Sequence, residues 1–432
     1  FGMGHEMAAN AICEQFRKLD KDTEIVKKDL LEELYPHISK LIFGGFRLMV
    51  EHCHGIYNFI YKMSGKMKVE MQPRGAAIYK KLKKILEKEQ PDVIVCTHPM
   101  CVKAIASYKE KTGLSTPLVT CITDISMHPE WKADQTDLYL APTREIKEHL
   151  ICEGTKAENI LVTGIPVRQQ FLNMDRKHLE NEKEVRRVLV MGGGLGLMPD
   201  LRRLLGKLHS MQSVQTIVIT GKNHKMYEEW VNRYEDVKVL GYTENISKYM
   251  RWADLVITKA GGITLFEILH SQVPLFVIHP FLEQEMNNAR YAAEKGFAKV
   301  VWGKHEDYIP ELEKLLNDRK LLKQMDENVR HARKEMIDVS LDKAVEIMEG
   351  AGALGYSIIP TYLMKYHWII RDKKMAKKEE KVLYLTFDDG PDTVYTNKLL
   401  DLLDQEQVPA TFFMVAEAAQ GHPDIVKRMK KS

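Results

Sequence analysis

The chain has 432 residues, 44% of them hydrophobic, and a net charge of +3. That length supports two or three domains with ordinary cores, and so small an excess of positive charge gives no argument for nucleic acid. Six cysteines (Cys13, Cys53, Cys96, Cys101, Cys121, Cys152) form no Cys-x-x-Cys pair; this disfavours a zinc knuckle or disulfide framework and reads as reduced cytosolic thiols. No run of about 18 apolar residues is present, so neither a transmembrane helix nor a signal peptide is evident.

The chain opens on a loop-like Gly2-Met3-Gly4-His5 and ends at Ser432 after a helical stretch. It reads as a fragment of a longer protein whose first strand precedes Phe1. A helix is expected over Glu6 to Leu19, and His5 at its start is suited to a general base because an imidazole titrates near neutrality. A capping or merely exposed histidine is the plain alternative. Asp20-Lys21-Asp22 has the Asp-x-Asp form used to hold a metal diphosphate, but it sits in a charged connection and reads as solvated. A metal-free reaction, with a helix N-terminus and basic groups in place of the cation, fits better.

From Tyr35 to Lys68, apolar and aromatic side chains are interleaved with Lys40, Arg47, Lys62, Lys66 and Lys68. The mixture suits either a helix in an anionic membrane interface or a core-facing helix pair with a solvated basic face. Short unalternating strands follow at Val93–Cys96, Leu118–Ile122, Leu138–Leu140 and Leu161–Val162, as in a parallel sheet covered on both faces. Asp124 and His128-Pro129-Glu130-Trp131 lie after the second of these. Trp131 marks either a binding surface or a packing position.

The charged stretch Arg176 to Glu184 reads as a hinge. A second series of strands begins at Val188–Met191 and continues at Thr216–Ile219, Val237–Leu240, Leu255–Thr258, Leu275–Ile278 and Ala298–Val301. Two doubly wound α/β domains would face each other across a cleft at the carboxyl ends of both sheets. Gly192-Gly193-Gly194-Leu195-Gly196 does not have the dinucleotide spacing, because Leu197 occupies the third glycine's position, but it serves as a phosphate or acceptor loop. Gly221-Lys222-Asn223 adds a cation near the same edge. Lys259-Ala260-Gly261-Gly262 turns from a strand into a helix, where glycines admit a bulky anion and free N–H groups favour a diphosphate. Glu267, about one turn into that helix, could accept from a ribose diol. Gln284, Glu285 and Asn288 beyond the next strand suit sugar hydroxyls.

A lysine-rich connection, Lys373 to Lys381, leads to a strand ending in Asp388-Asp389. The domains expected are 1–170, 185–350, a helical and basic linker 351–380, and 381–432.

Several separated motifs in order carry a resemblance: Gly4-His5 with Ala8-Ala9, Thr123-Asp124 through His128 to Trp131, Thr163-Gly164-Ile165-Pro166-Val167-Arg168, and Lys259 to Gly262 through Glu267 to Gln284-Glu285 and Asn288. Over about residues 1–350 the chain resembles the monogalactosyldiacylglycerol synthase and processive diacylglycerol glucosyltransferase family. The resemblance implies a GT-B arrangement of two Rossmann-like domains, a UDP-sugar donor in the second, a diacylglycerol-like acceptor at the first, no cofactor, and a peripheral position on the inner face of the cell membrane. It implies that His5, with Asp124, is catalytic. Glu267 would bind the ribose and Gly261 and Gly262 would approach the diphosphate, with Gly192, Gly193 and Lys259 counted among the donor-binding residues. Gln284, Glu285 and Asn288 would hold the donor sugar, with Trp131, Lys40, Arg47 and Lys62 on the acceptor and membrane side. In-line attack with inversion belongs to the resemblance as well. A transferase of N-acetylglucosamine to a peptidoglycan lipid precursor, a sugar-nucleotide binder without turnover, and a cell-wall polysaccharide deacetylase in the full-length protein are the alternatives.

Thr386-Phe387-Asp388-Asp389-Gly390-Pro391 and Ala410-Thr411-Phe412-Phe413 resemble the opening of a polysaccharide deacetylase, implying Asp388 as base and Asp389 as ligand to a divalent metal. The family's His-x-x-x-His pair is absent from this segment, and zinc needs about three protein ligands. The segment is therefore expected to be an incomplete deacetylase domain.

Overall fold

A computed structural model describes residues 3–19, 21–35, 76–172, 185–192, 200–354, 385–390, 396–397, 400–401, 405, 410–414 and 422–429. Contacts divide the chain into two units, Phe1–His367 and Trp368–Ser432.

The first unit contains two parallel sheets. In the first, β1 (Ile94–Cys96), β2 (Leu118–Cys121), β3 (Leu138–Ala141) and β4 (Ile160–Val162) lie side by side in chain order. In the second, β5 (Arg186–Met191), β6 (Val214–Ile219), β7 (Val237–Leu240), β8 (Leu255–Thr258), β9 (Leu275–Ile278) and β10 (Ala298–Val301) take the order β10-β9-β8-β5-β6-β7. This is the doubly wound order, with its switch point between β5 and β8.

The strands lack apolar–polar alternation because helices cover both faces of each sheet. In the first domain Leu118, Tyr139 and Ile160 pack with Val102, Ile105 and Ile146 on one face. Val119, Leu138, Leu140 and Leu161 pack with Ala11, Ile12 and Phe16 on the other. The second sheet is divided the same way, with Val188, Val190, Leu255 and Ile257 toward one layer of helices and Leu189, Met191, Val256 and Val277 toward the other.

Two boundaries differ from expectation. The first helix spans Met3–Leu19, so His5 lies inside its first turn rather than before it. The helix Leu341–Leu354, counted by sequence with the second domain, inserts Leu341, Ala344, Val345 and Met348 into the first domain's core. It returns because the N–H groups of Asp338 and Val339 both donate to the Val162 carbonyl, each at 3.0 Å, anchoring the chain at the end of β4.

Among the described residues no helix is long and apolar enough to cross a membrane, and Cys13, Cys96, Cys101, Cys121 and Cys152 are free thiols. In the second unit, β11 (Leu385–Gly390) and β12 (Ala410–Met414) pair in parallel, with an irregularity between Phe387 and Gly390. A helix follows at Pro423–Met429.

Met348 is fully buried in the returning helix. Met348→Ala should destabilise the first unit by about 3 kcal/mol, read as a lower urea midpoint at unchanged slope.

Candidate active site

The donor half is built where three adjacent strands end. Met191 of β5 is in register with Thr258 of β8, so Gly192 and Lys259 leave the sheet side by side, one strand spacing or about 4.8 Å apart. The helix Gly262–Ser271 then starts from Gly261 with no side chain capping it. Its first N–H groups are therefore available to an anion. Asn288, buried, donates to the Ala260 carbonyl at 2.8 Å and pins the turn from beneath. The Lys259 ammonium lies 4.7 Å over the Phe281 ring. Burial pushes the nearby Glu285 carboxyl up, opposed by the Lys259 charge.

The acceptor half is built on the ends of β1 and β2. His5 Nδ1 lies 2.8 Å from the Thr97 carbonyl and 2.7 Å from Thr123 Oγ1. A carbonyl can only accept, so Nδ1 carries the proton and Nε2 of the neutral ring keeps its lone pair. Burial holds the imidazole below its ordinary range, opposed by the Asp124 charge and the Thr97 bond. The His98 ring meets it edge-on at 4.6 Å, and burial with the neighbouring His5 pushes His98 down to about 2. Asp124 accepts from Trp131 Nε1 at 2.9 Å through one oxygen and from Gln284 Nε2 at 3.0 Å through the other. Burial pushes this carboxyl up, opposed by His5 and by the Trp131 bond.

The two halves meet at Thr123. Its hydroxyl touches His5, while its carbonyl lies 3.1 Å from where a side-chain carbon on Gly262 would stand. Gln284 to Asp124, and Asn287 Nδ2 to Ser126 Oγ at 3.3 Å, complete the crossing.

Glu267, expected to face a ribose, is buried and bonded to Arg168 at 2.8 Å. Burial pushes its carboxyl up, and the guanidinium opposes this. Trp131, expected on the acceptor and membrane side, is fully buried; this corrects the lipid-facing reading, since the ring serves as packing and as donor to Asp124. Gln284 turns toward Asp124, which gives it a part in joining the domains. Gly193, Lys40, Arg47 and Lys62 lie outside the described residues. Asp388 and Asp389 belong to β11 in the second unit.

Thr97, His98, Thr123 and Arg168 were given no role from sequence. Arg168 and Thr123 lie inside the motifs that carry the resemblance, but nothing in their spacing names their partners 99 and 118 residues away. Among the described residues no group of three or more His, Cys, Asp or Glu is arranged to hold a metal.

Arg168→Met should leave Glu267, whose side chain is 7% exposed, buried without its counter-charge, costing about 3 kcal/mol. With only burial acting, the folded-state carboxyl titrates further above 4.5, its ordinary value. The folded state then binds the proton more readily than the unfolded, so the defect is greatest at neutral pH and shrinks as pH falls through the raised value. Urea titrations of both proteins at neutral and mildly acid pH measure it.

Residues 5–167 match the monogalactosyldiacylglycerol (MGDG) synthase family model, 187–341 the glycosyltransferase family 28 C-terminal domain, and 375–432 polysaccharide deacetylase. The processive diacylglycerol beta-glucosyltransferases of Bacillus subtilis and Bacillus licheniformis are each 30% identical over 345 residues, covering 76% of this chain and 88% of theirs. Among solved structures, a spinosyn rhamnosyltransferase aligns with a TM-score of 0.52 at 13% identity, covering 80% of this chain and 97% of that one. That likeness is one of fold, the two-domain GT-B arrangement. With its paired parallel sheets and the level of identity to the Bacillus enzymes, the chain belongs to the MGDG synthase and processive diacylglycerol glucosyltransferase family.

Proposed function

We propose that the first unit is an inverting glycosyltransferase that moves a hexose from a UDP-sugar to diacylglycerol. The observation that carries this reading is the one-residue bridge at Thr123, which brings a histidine with a free Nε2 beside the uncapped start of a glycine-initiated helix. The names of the Bacillus relatives support the donor and acceptor classes.

In this reading the diphosphate lies on the N–H groups that follow Gly261, with Lys259 and the helix dipole stabilising the charge that develops on it. His5 Nε2 takes the proton of the acceptor hydroxyl. The oxygen then bonds to the anomeric carbon from the face opposite the diphosphate, and the carbon–oxygen bond to UDP breaks. Asp124 stabilises the imidazolium through space. No cofactor is required, because the helix terminus supplies the electrostatic stabilisation.

The enzyme acts as a peripheral protein on the inner face of the cell membrane, to which the charges of Lys40, Arg47 and Lys62 contribute attraction for anionic lipid. For the second unit the deacetylase resemblance supports Asp388 as base and Asp389 as a ligand to a divalent metal. Residues 391–432 contain one histidine, His422, so a ligand set is not complete in this segment and no step is derived from it.

His5→Ala should lower kcat about 10³-fold, the scale of a lost general base, while UDP affinity measured by calorimetry stays within a few fold; retained transfer would remove His5 from this role. Because burial holds the His5 imidazole below 6.5, the acid limb of kcat/KM should lie below that pH. In Asp124→Asn the charge that favours imidazolium is gone, so the limb should move to still lower pH. At the membrane, each basic residue contributes about 1 kcal/mol. Neutralising Lys40, Arg47, Lys62, Lys66 and Lys68 together should abolish co-sedimentation with anionic liposomes, and undiminished binding would rule this surface out.

A further inference from the structure

A cavity of about 580 Å³ lies at the far end of the helix Gly262–Ser271 from its glycine start. The helix has ten residues and so spans about 15 Å. None of the residues assigned to donor or acceptor lines this cavity. Its walls come from both domains: the helix Met3–Leu19, the connection after β4, the last turn of Gly262–Ser271, and the helix Arg319–Met336.

Two polar side chains lining it are more than nine-tenths buried and each has an atom without a hydrogen-bond partner. They are Gln15 through Oε1, with its Nε2 donating to Gln169, and His270 through Nδ1. Such atoms cost about 1–3 kcal/mol each when left unmet, and few are tolerated in a folded chain. Lys18, Arg333 and Lys334 line the cavity against two carboxylates, Glu327 and Asp342, while Arg330 is paired with the buried Asp326 at 2.8 Å, so the excess charge is positive but small. Ile165, Val167 and Leu172 provide apolar wall.

We propose that this cavity is a second ligand site that takes a polyol phosphate, a small hydroxylated phosphomonoester. The unpartnered Gln15 oxygen requires a donor, which a carboxylate or sulfate lacks and a hydroxyl supplies. Burial and Arg333 push His270 down to about 3, so the ring is neutral and recognises its ligand by hydrogen bonding. The phosphate belongs at the Lys18 and Lys334 side. Of the carbonyls at this helix end, which would repel an anion, those of Ile268 and Leu269 accept from the Gln272 N–H, and the lysine side keeps the phosphate away from the others. Because both domains wall the site, its occupant binds one domain arrangement better than others, and couples to the donor cleft at the opposite end of the same helix.

The test is calorimetric titration of the full chain with glycerol 3-phosphate and with glucose 6-phosphate, UDP being present in saturating excess to fill the donor cleft. Saturable binding in the millimolar range or tighter is expected for at least one of them. Lys18→Ala with Lys334→Ala, both on the exposed rim, should weaken it about tenfold or more, equivalent to about 1.4 kcal/mol, and Gln15→Leu should weaken it in a chain of unchanged thermal midpoint. Lys259→Ala should leave it unaltered. Absence of saturable binding, binding indifferent to the rim substitutions, or binding lost with Lys259→Ala would each overturn the proposal. Sulfate, a dianion with no donor, binding as tightly as the polyol phosphates would overturn the hydroxyl recognition.

Discussion

One backbone carbonyl sets the geometry of the cleft. The Thr123 carbonyl comes so close to Gly262 that a methyl group there would meet it at 3.1 Å, tighter than ordinary van der Waals contact. Glycine at 262 is favoured by this approach; its φ freedom is not the reason, since it sits in a helix. The same Thr123 carries the hydroxyl against His5. The separation between a histidine of one domain and the helix start of the other is thus fixed by a single residue, and the side-chain bonds from Gln284 and Asn287 hold that separation from the flank.

Burial then decides the chemistry of each group around this contact. His5 is pushed toward the neutral form, and burial likewise raises the Asp124 carboxyl beside it, opposed by His5 and by the Trp131 N–H. Trp131 matters here as the donor that steadies a carboxylate, and its ring fills the first domain's core. A carboxylate fixed from both sides, by Trp131 and by a residue of the opposite domain, links the electrostatics of the base to closure of the cleft. Opening the domains would remove the Gln284 bond and leave Asp124 with one donor fewer.

The stretch expected as a hinge, Arg176 to Glu184, lies outside the described residues, but the segment before it already joins the domains. Arg168 reaches into the second domain to meet Glu267, and Ile165, Val167 and Phe171 pack in the same cluster as Ala8 and the second sheet's inner face. The helix Leu341–Leu354 returns to cover the first sheet. With apolar packing and buried ion pairing on the segment after β4 and a second crossing of the chain, the two domains share a packed cluster at their junction, and a cavity remains where their surfaces fail to meet.

Sequence alone determined the strands, because unbroken runs such as Leu255-Val256-Ile257-Thr258 carry the signature of a sheet covered on both faces, a local property that survives without knowledge of the partner. The turns after them were legible for the same reason: Gly192 and Gly261-Gly262 are local departures from a strand. The family followed from motifs in order. Tertiary structure decided the rest. It decided that Glu267 faces Arg168, that Trp131 is interior, that Gln284 joins the domains, and that the last helix of the apparent second domain completes the first. Each of these depends on which residue arrives from a distant part of the chain, and long-range contacts leave no periodicity to read. His5 illustrates the division: its presence at a helix start was visible in four residues, whereas its tautomer rests on a carbonyl 92 positions away.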